Sequence, residues 1–466
     1  MEVNKPTTIQ LTDFQNIYFL GIGGIGMSSL ARYFNSTGYS VGGYDKTPSP
    51  LTDQLIQEGC EIHFTDLGED IPLKYNRKST TLVVLTPAIP VDHSEWKYFK
   101  ETGFTILKRS EVLGLITQKL KGLCVAGTHG KTTTSTMLAH ILNTSSWKCN
   151  AFLGGISTNF KSNLLIDKSS PFAVIEADEF DRSFLRLSPF SSIITSADPD
   201  HLDIYGSASQ FQEGFQLYAE KISKDGFLIV KEGLPFKSPA KRITYSVSSS
   251  TANFYAQNLR IEGDQFFMDV YYLSEVWENI ELGVPGIHNA ENALACIALL
   301  VSMGMDEVQI RRGLQSFQGV KRRFEYIVRD KRFVFVDDYA HHPKEIKALI
   351  DSIRLMYPSK KVTGIFQPHL FSRTNDFMED FAVELGKLDE VVLLPIYPAR
   401  ELPMEGVTSG VLLEKIENSN KKLLQPQEVI DSFSVDNCDV LLTIGAGDID
   451  RIVDKLKHKI EAQLQV

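Results

Sequence analysis

One heptapeptide, Gly127-Thr128-His129-Gly130-Lys131-Thr132-Thr133, constrains this chain more than any other stretch. It follows the apolar run 123–126 and opens a helical pattern. Glycines let the backbone curl until several N–H groups point at one phosphate. The helix that follows adds the positive end of its dipole. Lys131 then reaches the β- and γ-phosphates of ATP, and the Thr132 hydroxyl suits Mg²⁺. The strict phosphate-loop pattern asks for glycine six residues before the lysine. Val125 stands there, and the glycine sits at 127 instead. The plainer alternative is a tight strand-to-helix turn that happens to carry a lysine.

Such a loop needs further metal ligands. Glu176 follows the apolar run 173–175 in EADEFD, and His201 follows the run 193–195 in DPDHLD. In a doubly wound sheet the strand ends gather on one edge, beside the phosphate loop. Glu176 and His201 are therefore placed to complete a site with Thr132. Mg²⁺ usually takes oxygen ligands, so the histidine is the odd member. A helix-capping or core histidine is its ordinary reading. Asp178, Glu179 and Asp181 read either as part of the site or as a solvated acidic run.

A second glycine motif, Gly21-Ile22-Gly23-Gly24-Ile25-Gly26, follows the apolar run 17–20, and Asp45 lies 19 residues past Gly26. This is the dinucleotide fingerprint: a diphosphate at a helix N-terminus and a carboxylate near a ribose. NAD satisfies it, and so does a UDP-sugar. No other feature of the chain offers hydride chemistry.

Strand-like and helical patterns alternate through all 466 residues, which predicts an α/β fold with parallel, doubly wound sheets. We expect three domains: a Rossmann-like sugar-nucleotide domain at 1–108, a central phosphate-loop ATPase domain at 109–318 and a Rossmann-like C-terminal domain at 319–466. Within the second, the runs 258–261 and 265–271 flank Glu262-Gly263-Asp264 like a β-hairpin. In the third, a helix is expected from Pro343 with Ile346, Leu349, Ile350 and Ile353 on one face, ended by Pro358. The final helix carries Ile449, Ile452, Val453, Leu456 and Ile460 at helical spacing.

Hydrophobic residues make up 43% and charged residues 23%, the balance of an ordinary globular protein. The net charge of −10 argues against a nucleic-acid partner. The five cysteines have neither paired nor zinc-binding spacing, which predicts reduced, mostly buried thiols. The polar N-terminus lacks an apolar signal core, and the apolar stretch 293–301 falls short of the ~20 residues of a membrane span. A cytoplasmic protein without membrane contact is expected.

Taken together, GIGGIGMS, GTHGKTTT, EADEFD, DHLD, GIHNAENALA, GVKRRFE, DDYAHHP, FQPHLFSRT and YPARE resemble, in order and over nearly the whole chain, the Mur ligases of peptidoglycan synthesis. The resemblance implies a ligase using ATP and Mg²⁺, with UDP-N-acetylmuramate and L-alanine as substrates, acting as a monomer or homodimer. A relative that attaches a preformed tripeptide to the same sugar is separated only by overall likeness. The resemblance further implies that Gly23, Gly24, Ile25, Gly26, Asp45 and Thr86 serve the sugar nucleotide. Gly127, Thr128, His129, Gly130, Lys131, Thr132 and Thr133 would hold the phosphates, with Thr132, Glu176 and His201 on the metal. His288, Asn289 and Asn292 would sit near the adenine. Asp337 would help hold the nucleotide and Arg323 would approach its γ-phosphate. Lys131, His201 and Arg323 would be the catalytic residues. His341, His342, His369, Arg373 and Thr374 would line the cleft where amino acid and sugar carboxylate meet.

Bland readings stand beside these. Arg322 and Arg323 could form a solvated basic turn, although paired arginines suit an anion clamp. Asn289 and Asn292 could cap their own helix. Of the adjacent His341 and His342, at most one is expected to face the cleft. Two positions depart from the family pattern: Ser196, where asparagine is frequent and a side-chain contact could be lost, and Arg400, where glycine is frequent. The open rivals are an NAD dehydrogenase, a phosphate-loop ATPase acting as switch or motor, and a non-catalytic nucleotide-sugar binder.

Overall fold

The structure, a computed structural model, describes residues 9–86, 88–200, 202–263, 265–399 and 401–465, excluding the side chains of Leu202 and Asp203. His201, Arg400 and the expected turn residue Asp264 lie outside the described residues.

Strand Asn16–Leu20 (β1) is buried at every position, as a strand covered on both faces must be. It joins Ser40–Tyr44 (β2), Glu61–His63 (β3), Thr81–Leu85 (β4) and Thr105–Lys108 (β5) in the order β3-β2-β1-β4-β5. All four pairings are parallel. The order reverses at β1, so the GIGGIG turn at its end opens on the crevice where such sheets bind ligands.

The second sheet contains Lys121–Ala126 (β6), Asn150–Ser157 (β7), Ser162–Leu165 (β8), Phe172–Glu176 (β9), Pro189–Ile194 (β10), Phe227–Lys231 (β11), Lys241–Ser246 (β12), Phe254–Glu262 (β13), Gln265–Tyr272 (β14) and Glu275–Leu282 (β15). Their order is β15-β14-β13-β12-β11-β10-β6-β9-β7-β8. Strand β6 lies parallel between β10 and β9. The phosphate loop therefore leaves the sheet interior beside the end of β9, where Glu176 stands. The expected hairpin is longer and has a third strand, β15, with Trp277 and Ile280 buried.

The third sheet contains Glu325–Arg329 (β16), Val334–Asp338 (β17), Val362–Phe366 (β18), Glu390–Leu393 (β19), Lys421–Leu423 (β20) and Val440–Ile444 (β21), in the order β16-β17-β21-β18-β19-β20. Only β16–β17 is antiparallel. The Pro343–Met356 helix starts and stops where expected, with His342 as its N-cap and Tyr357 as its C-cap. The last helix, Asp450–Leu464, buries Ile452, Val453, Leu456 and Ile460, with Ile449 as its N-cap.

Three sheets fold as two compact units. One holds the chain up to Gln257 with Asp269–Ile280 and Asn292–Phe317; the other holds Asn258–Met268, Glu281–Glu291 and the chain from Gln318. In the first unit, one apolar core joins Ile17, Phe19 and Leu30 to Cys124, Ala126, Phe152 and Ile175. Asn163 of β8, fully buried, donates to Ile25 O (2.5 Å) and Ser28 Oγ (3.0 Å) at the start of the Ile25–Ser36 helix. The glycine turn of the first sheet is thus fixed against the second sheet. All five cysteines are free and buried. Among the described residues, no helix is long and apolar enough to cross a membrane.

Candidate active site

The turn after β6 has the geometry its glycines require. Gly127 has φ +137°, and a Cβ there would lie 2.1 Å from Thr195 Oγ1. Gly130, at φ +79°, caps the Lys131–Thr144 helix, and a Cβ there would lie 2.8 Å from Asn292 Oδ1. Neighbouring segments brace the loop. Thr195 Oγ1 donates to His129 O (2.5 Å), Thr128 Oγ1 donates to Asp198 O (2.7 Å), and Ser196 Oγ accepts from His129 N (2.8 Å). The serine at position 196 keeps a side-chain contact. Thr132, in the first helical turn, is 7% exposed.

Lys131 lies back along this loop. Its Nζ donates to Gly127 O at 2.6 Å and to Glu179 Oε1 at 2.8 Å. Burial opposes the charged amine, but the carboxylates of Glu179, Asp178 and Glu176 more than offset it and raise the Lys131 pKa. Burial pushes the Glu179 carboxyl up to about 7 despite the lysine beside it.

Glu176 ends β9, and its Oε2 is buried without a hydrogen-bond partner. A Cβ on Gly154 of β7 would lie 2.2 Å from that oxygen, so the glycine makes room for the carboxylate. Glu176 also lines a cavity of about 280 Å³ with Gly24, Ile25, Gly26, Thr86, Arg109 and Asp178. Glu176 therefore stands at the end of β9, opposite Val125 of β6 just ahead of the phosphate loop, and also in the cavity beside the GIGGIG turn. Arg109 has one nitrogen 2.7 Å from where a Gly26 Cβ would stand, and it pairs with Asp178 at 3.5 Å. Arg109 escaped the sequence reading; a lysine-arginine pair closing β5 at an expected domain boundary was its signal. Asp45 takes the Gly23 N–H at 2.7 Å and so braces its own glycine turn.

In the second unit, Arg323 lies over the Tyr339 ring, 4.7 Å from its centroid. Arg322 is tied down: it reaches Asp337 at 3.4 Å and donates to Gly445 O at 2.7 Å. Asp337 also accepts from Thr443 Oγ1 (2.6 Å), and burial holds its carboxyl up at about 6. His341 and His369 come together, with ring centroids 6.3 Å apart, and His369 stacks on Tyr397. Burial lowers the His341 pKa to about 4, and the positive charge of Arg373 acts the same way. His342 instead caps its helix, accepting from Lys344 N at 3.2 Å. Thr374 is fully buried and donates to Leu370 O, and Asn289 donates to Pro285 O. These three bonds are local and structural. His288 lies 3.2 Å from Ser352 Oγ, and burial lowers its pKa to about 4.

Parallel sheets, a phosphate loop with its lysine and a second glycine turn in the same unit define an α/β protein of the nucleotide-binding kind. Three family models match in chain order: the Mur ligase family catalytic domain at residues 16–120, the Mur ligase middle domain at 125–300 and the Mur ligase glutamate ligase domain at 322–453. A UDP-N-acetylmuramate–L-alanine ligase of Porphyromonas gingivalis is 50% identical over 452 residues, covering 96% of this chain and 99% of its own. The enzyme of the same name from Flavobacterium psychrophilum is 49% identical over 453 residues, 97% of this chain and 100% of its own. A crystal structure of the UDP-N-acetylmuramate–alanine ligase of Thermotoga maritima superposes with a TM-score of 0.82 at 29% identity, covering 96% of this chain and 99% of that one. The chain belongs to the Mur ligase family. Membership sets aside the dehydrogenase and switch-ATPase readings of its two glycine motifs.

Proposed function

We propose that this enzyme joins L-alanine to UDP-N-acetylmuramate with hydrolysis of ATP to ADP and phosphate, in cytoplasmic cell-wall precursor synthesis. The observation that carries the reading is the position of Glu176, which ends the strand beside β6 and its phosphate loop and also lines the cavity of the GIGGIG turn. Relatives of that name at about half identity along nearly the full chain support the choice of substrates.

A carboxylate does not acylate an amine at neutral pH, because its oxygens leave poorly. Transfer of the γ-phosphoryl group to the sugar's carboxylate gives an acyl phosphate. The neutral amine attacks its carbonyl, and the anionic tetrahedral intermediate collapses to amide and phosphate. Cations must surround the transferring group. Lys131 supplies one from the loop, and we assign another to Arg323. Gly127–Thr133 hold the phosphates. Thr132 and the unpartnered oxygen of Glu176 fit Mg²⁺, with His201 as the further ligand; when bound, the ion neutralises phosphate charge and orients the transfer. Gly23, Gly24, Ile25, Gly26 and Thr86, with Arg109, receive the diphosphate of the sugar nucleotide, and Asp45 keeps that turn in shape. His288, Asn292 and Asp337 are assigned to the nucleotide, and His341, His369 and Arg373 to the amino acid. His342, Thr374 and Asn289 support their neighbours. The division into 1–108, 109–318 and 319–466 then separates sugar-nucleotide, ATP and amino-acid functions.

The test is phosphate release with ATP, Mg²⁺ and UDP-N-acetylmuramate, comparing L-alanine, glycine, L-serine and the tripeptide. L-Alanine should give the highest kcat/KM, and preference for the tripeptide refutes the assignment. Lys131→Ala should abolish acyl-phosphate formation; near-normal turnover would remove Lys131 from the mechanism.

A further inference from the structure

Glu179 is a charged side chain only 1% exposed, and the transfer chemistry above gives it no task. Both of its carboxylate oxygens approach Lys131 Nζ, at 2.8 and 2.7 Å. The same ammonium also donates to Gly127 O at 2.6 Å and to Thr128 O at 3.4 Å. An ammonium has three N–H groups. These partners already use them, so a phosphate that takes Lys131 must displace one. The two carbonyls are uncharged and belong to the loop itself. Glu179 is the charged competitor.

The backbone around Glu179 is built to hold it there. Asp181 and Arg182 both sit in the left-handed region, at φ 50° and 53°, which side chains with a Cβ rarely adopt. This sharp bend brings Arg182 N to Glu179 O at 3.0 Å. The Tyr205 hydroxyl donates to the same carbonyl at 2.7 Å, and the Arg182 guanidinium lies over the Tyr205 ring. A strained turn clamped from two sides points to a carboxylate whose position is used.

We propose that Glu179 is a positioning residue that holds Lys131 against the loop while no nucleotide is bound and yields it to the incoming phosphates. The inference rests on the assignment of residues 127–133 to nucleotide and adds how that site is kept in readiness. Without Glu179, the flexible lysine stem would sample many directions and the loop would meet nucleotide without its cation in place. With it, each binding event exchanges one ion pair for another, and nucleotide affinity is held below what the loop alone would give.

The experiment is a double-mutant cycle on the full chain, reading the ADP dissociation constant by calorimetry with no other substrate present. Glu179→Gln keeps the shape and one hydrogen bond but removes the charge. ADP should then bind about fivefold tighter, since the nucleotide no longer breaks an ion pair. In a Lys131→Ala background the same change should leave the constant within about twofold, because the competitor has nothing to hold. Unchanged or weaker ADP binding in Glu179→Gln overturns the proposal. So does equal tightening in the Lys131→Ala background, which would assign the effect to general charge. If Glu179→Gln fails to fold, Glu179→Asp withdraws the carboxylate by one methylene and should shift affinity the same way; no shift again refutes it. Wild-type chain that binds no ADP removes the phosphate-loop assignment itself, whereas normal wild-type binding with an unmoved variant removes this inference alone.

Discussion

Gly154→Ala tests the metal assignment without touching a proposed ligand. Gly154 lies in β7 and needs no left-handed backbone, so alanine is compatible with its strand. The new methyl would stand 2.2 Å from Glu176 Oε2 and 2.5 Å from both Cδ and Oε1. Ordinary contact begins near 3.4 Å, so the carboxylate must retreat by 3.4 − 2.2 = 1.2 Å. A carboxylate oxygen binds Mg²⁺ at about 2.0–2.1 Å with little tolerance, so a displacement of that size breaks the contact. Misplacing a reacting group by about 1 Å commonly lowers rate about 10²-fold. We expect the Mg²⁺ concentration for half-maximal phosphate release to rise at least about tenfold. We also expect the melting temperature to fall by no more than about 2–4 °C, since roughly 1 kcal/mol of packing is disturbed in a unit of this size. Gly154 also lines the cavity assigned above to the sugar nucleotide, so the KM for UDP-N-acetylmuramate is measured at saturating Mg²⁺ to separate the two effects. An unchanged Mg²⁺ requirement in a folded variant would show that Glu176 does not ligate the ion from this position.

Arg109→Ala removes the cation beside the GIGGIG turn; KM for UDP-N-acetylmuramate should rise about tenfold or more while ADP affinity holds, and equal loss of both would deny Arg109 a place at the diphosphate. Arg323→Ala should lower kcat by about 10²-fold and move the nucleotide dissociation constant by less than about threefold; a pure affinity loss counts against a role in transfer. Half-buried His288 has a folded pKa of about 4 against an ordinary 6.5, so the unfolded chain binds more protons in that window and stability falls as pH drops from 6.5 towards 4. Melting curves of His288→Gln should show a shallower acid decline than wild type; identical slopes would refute the desolvated, neutral histidine.

The elements that position the site were legible because their physics is local. An apolar run, a glycine turn and a helical pattern specify a strand end facing a helix N-terminus wherever they occur, and both glycine motifs fold that way. Three other features depend on distant partners. Strand β15 was missed because Glu275, Glu278 and Glu281 punctuate it and only scattered positions, among them Trp277 and Ile280, are buried. The merging of two sheets into one unit depends on a core drawn from both, with Asn163 capping the contact at Ile25 O. Glu179 reads from the sequence either as part of the site or as one acid in a solvated run, and its burial accompanies a left-handed bend at Asp181 and Arg182 that no glycine announces. Asp45 is legible from its spacing, and its carboxylate accepts from Gly23 N, a contact the spacing does not announce.

The acidic segment that begins at Glu176 brings these observations into one arrangement. Along an extended or sharply bent backbone, neighbouring side chains point in different directions, and four acids here meet four different surroundings. Glu176 keeps a bare oxygen between the phosphate loop and the cavity. Asp178 pairs with Arg109 at the glycine turn, Glu179 pairs with Lys131, and Asp181 pairs with Lys108 of β5 at 2.6 Å. The last pair is half-exposed and adds little stability. Its value is registration: it fixes the end of the first sheet against the bend that buries Glu179. Asp178, paired with Arg109, and Glu179, paired with Lys131, are consecutive residues, so the glycine turn and the phosphate-loop lysine meet the same short acidic segment from opposite sides.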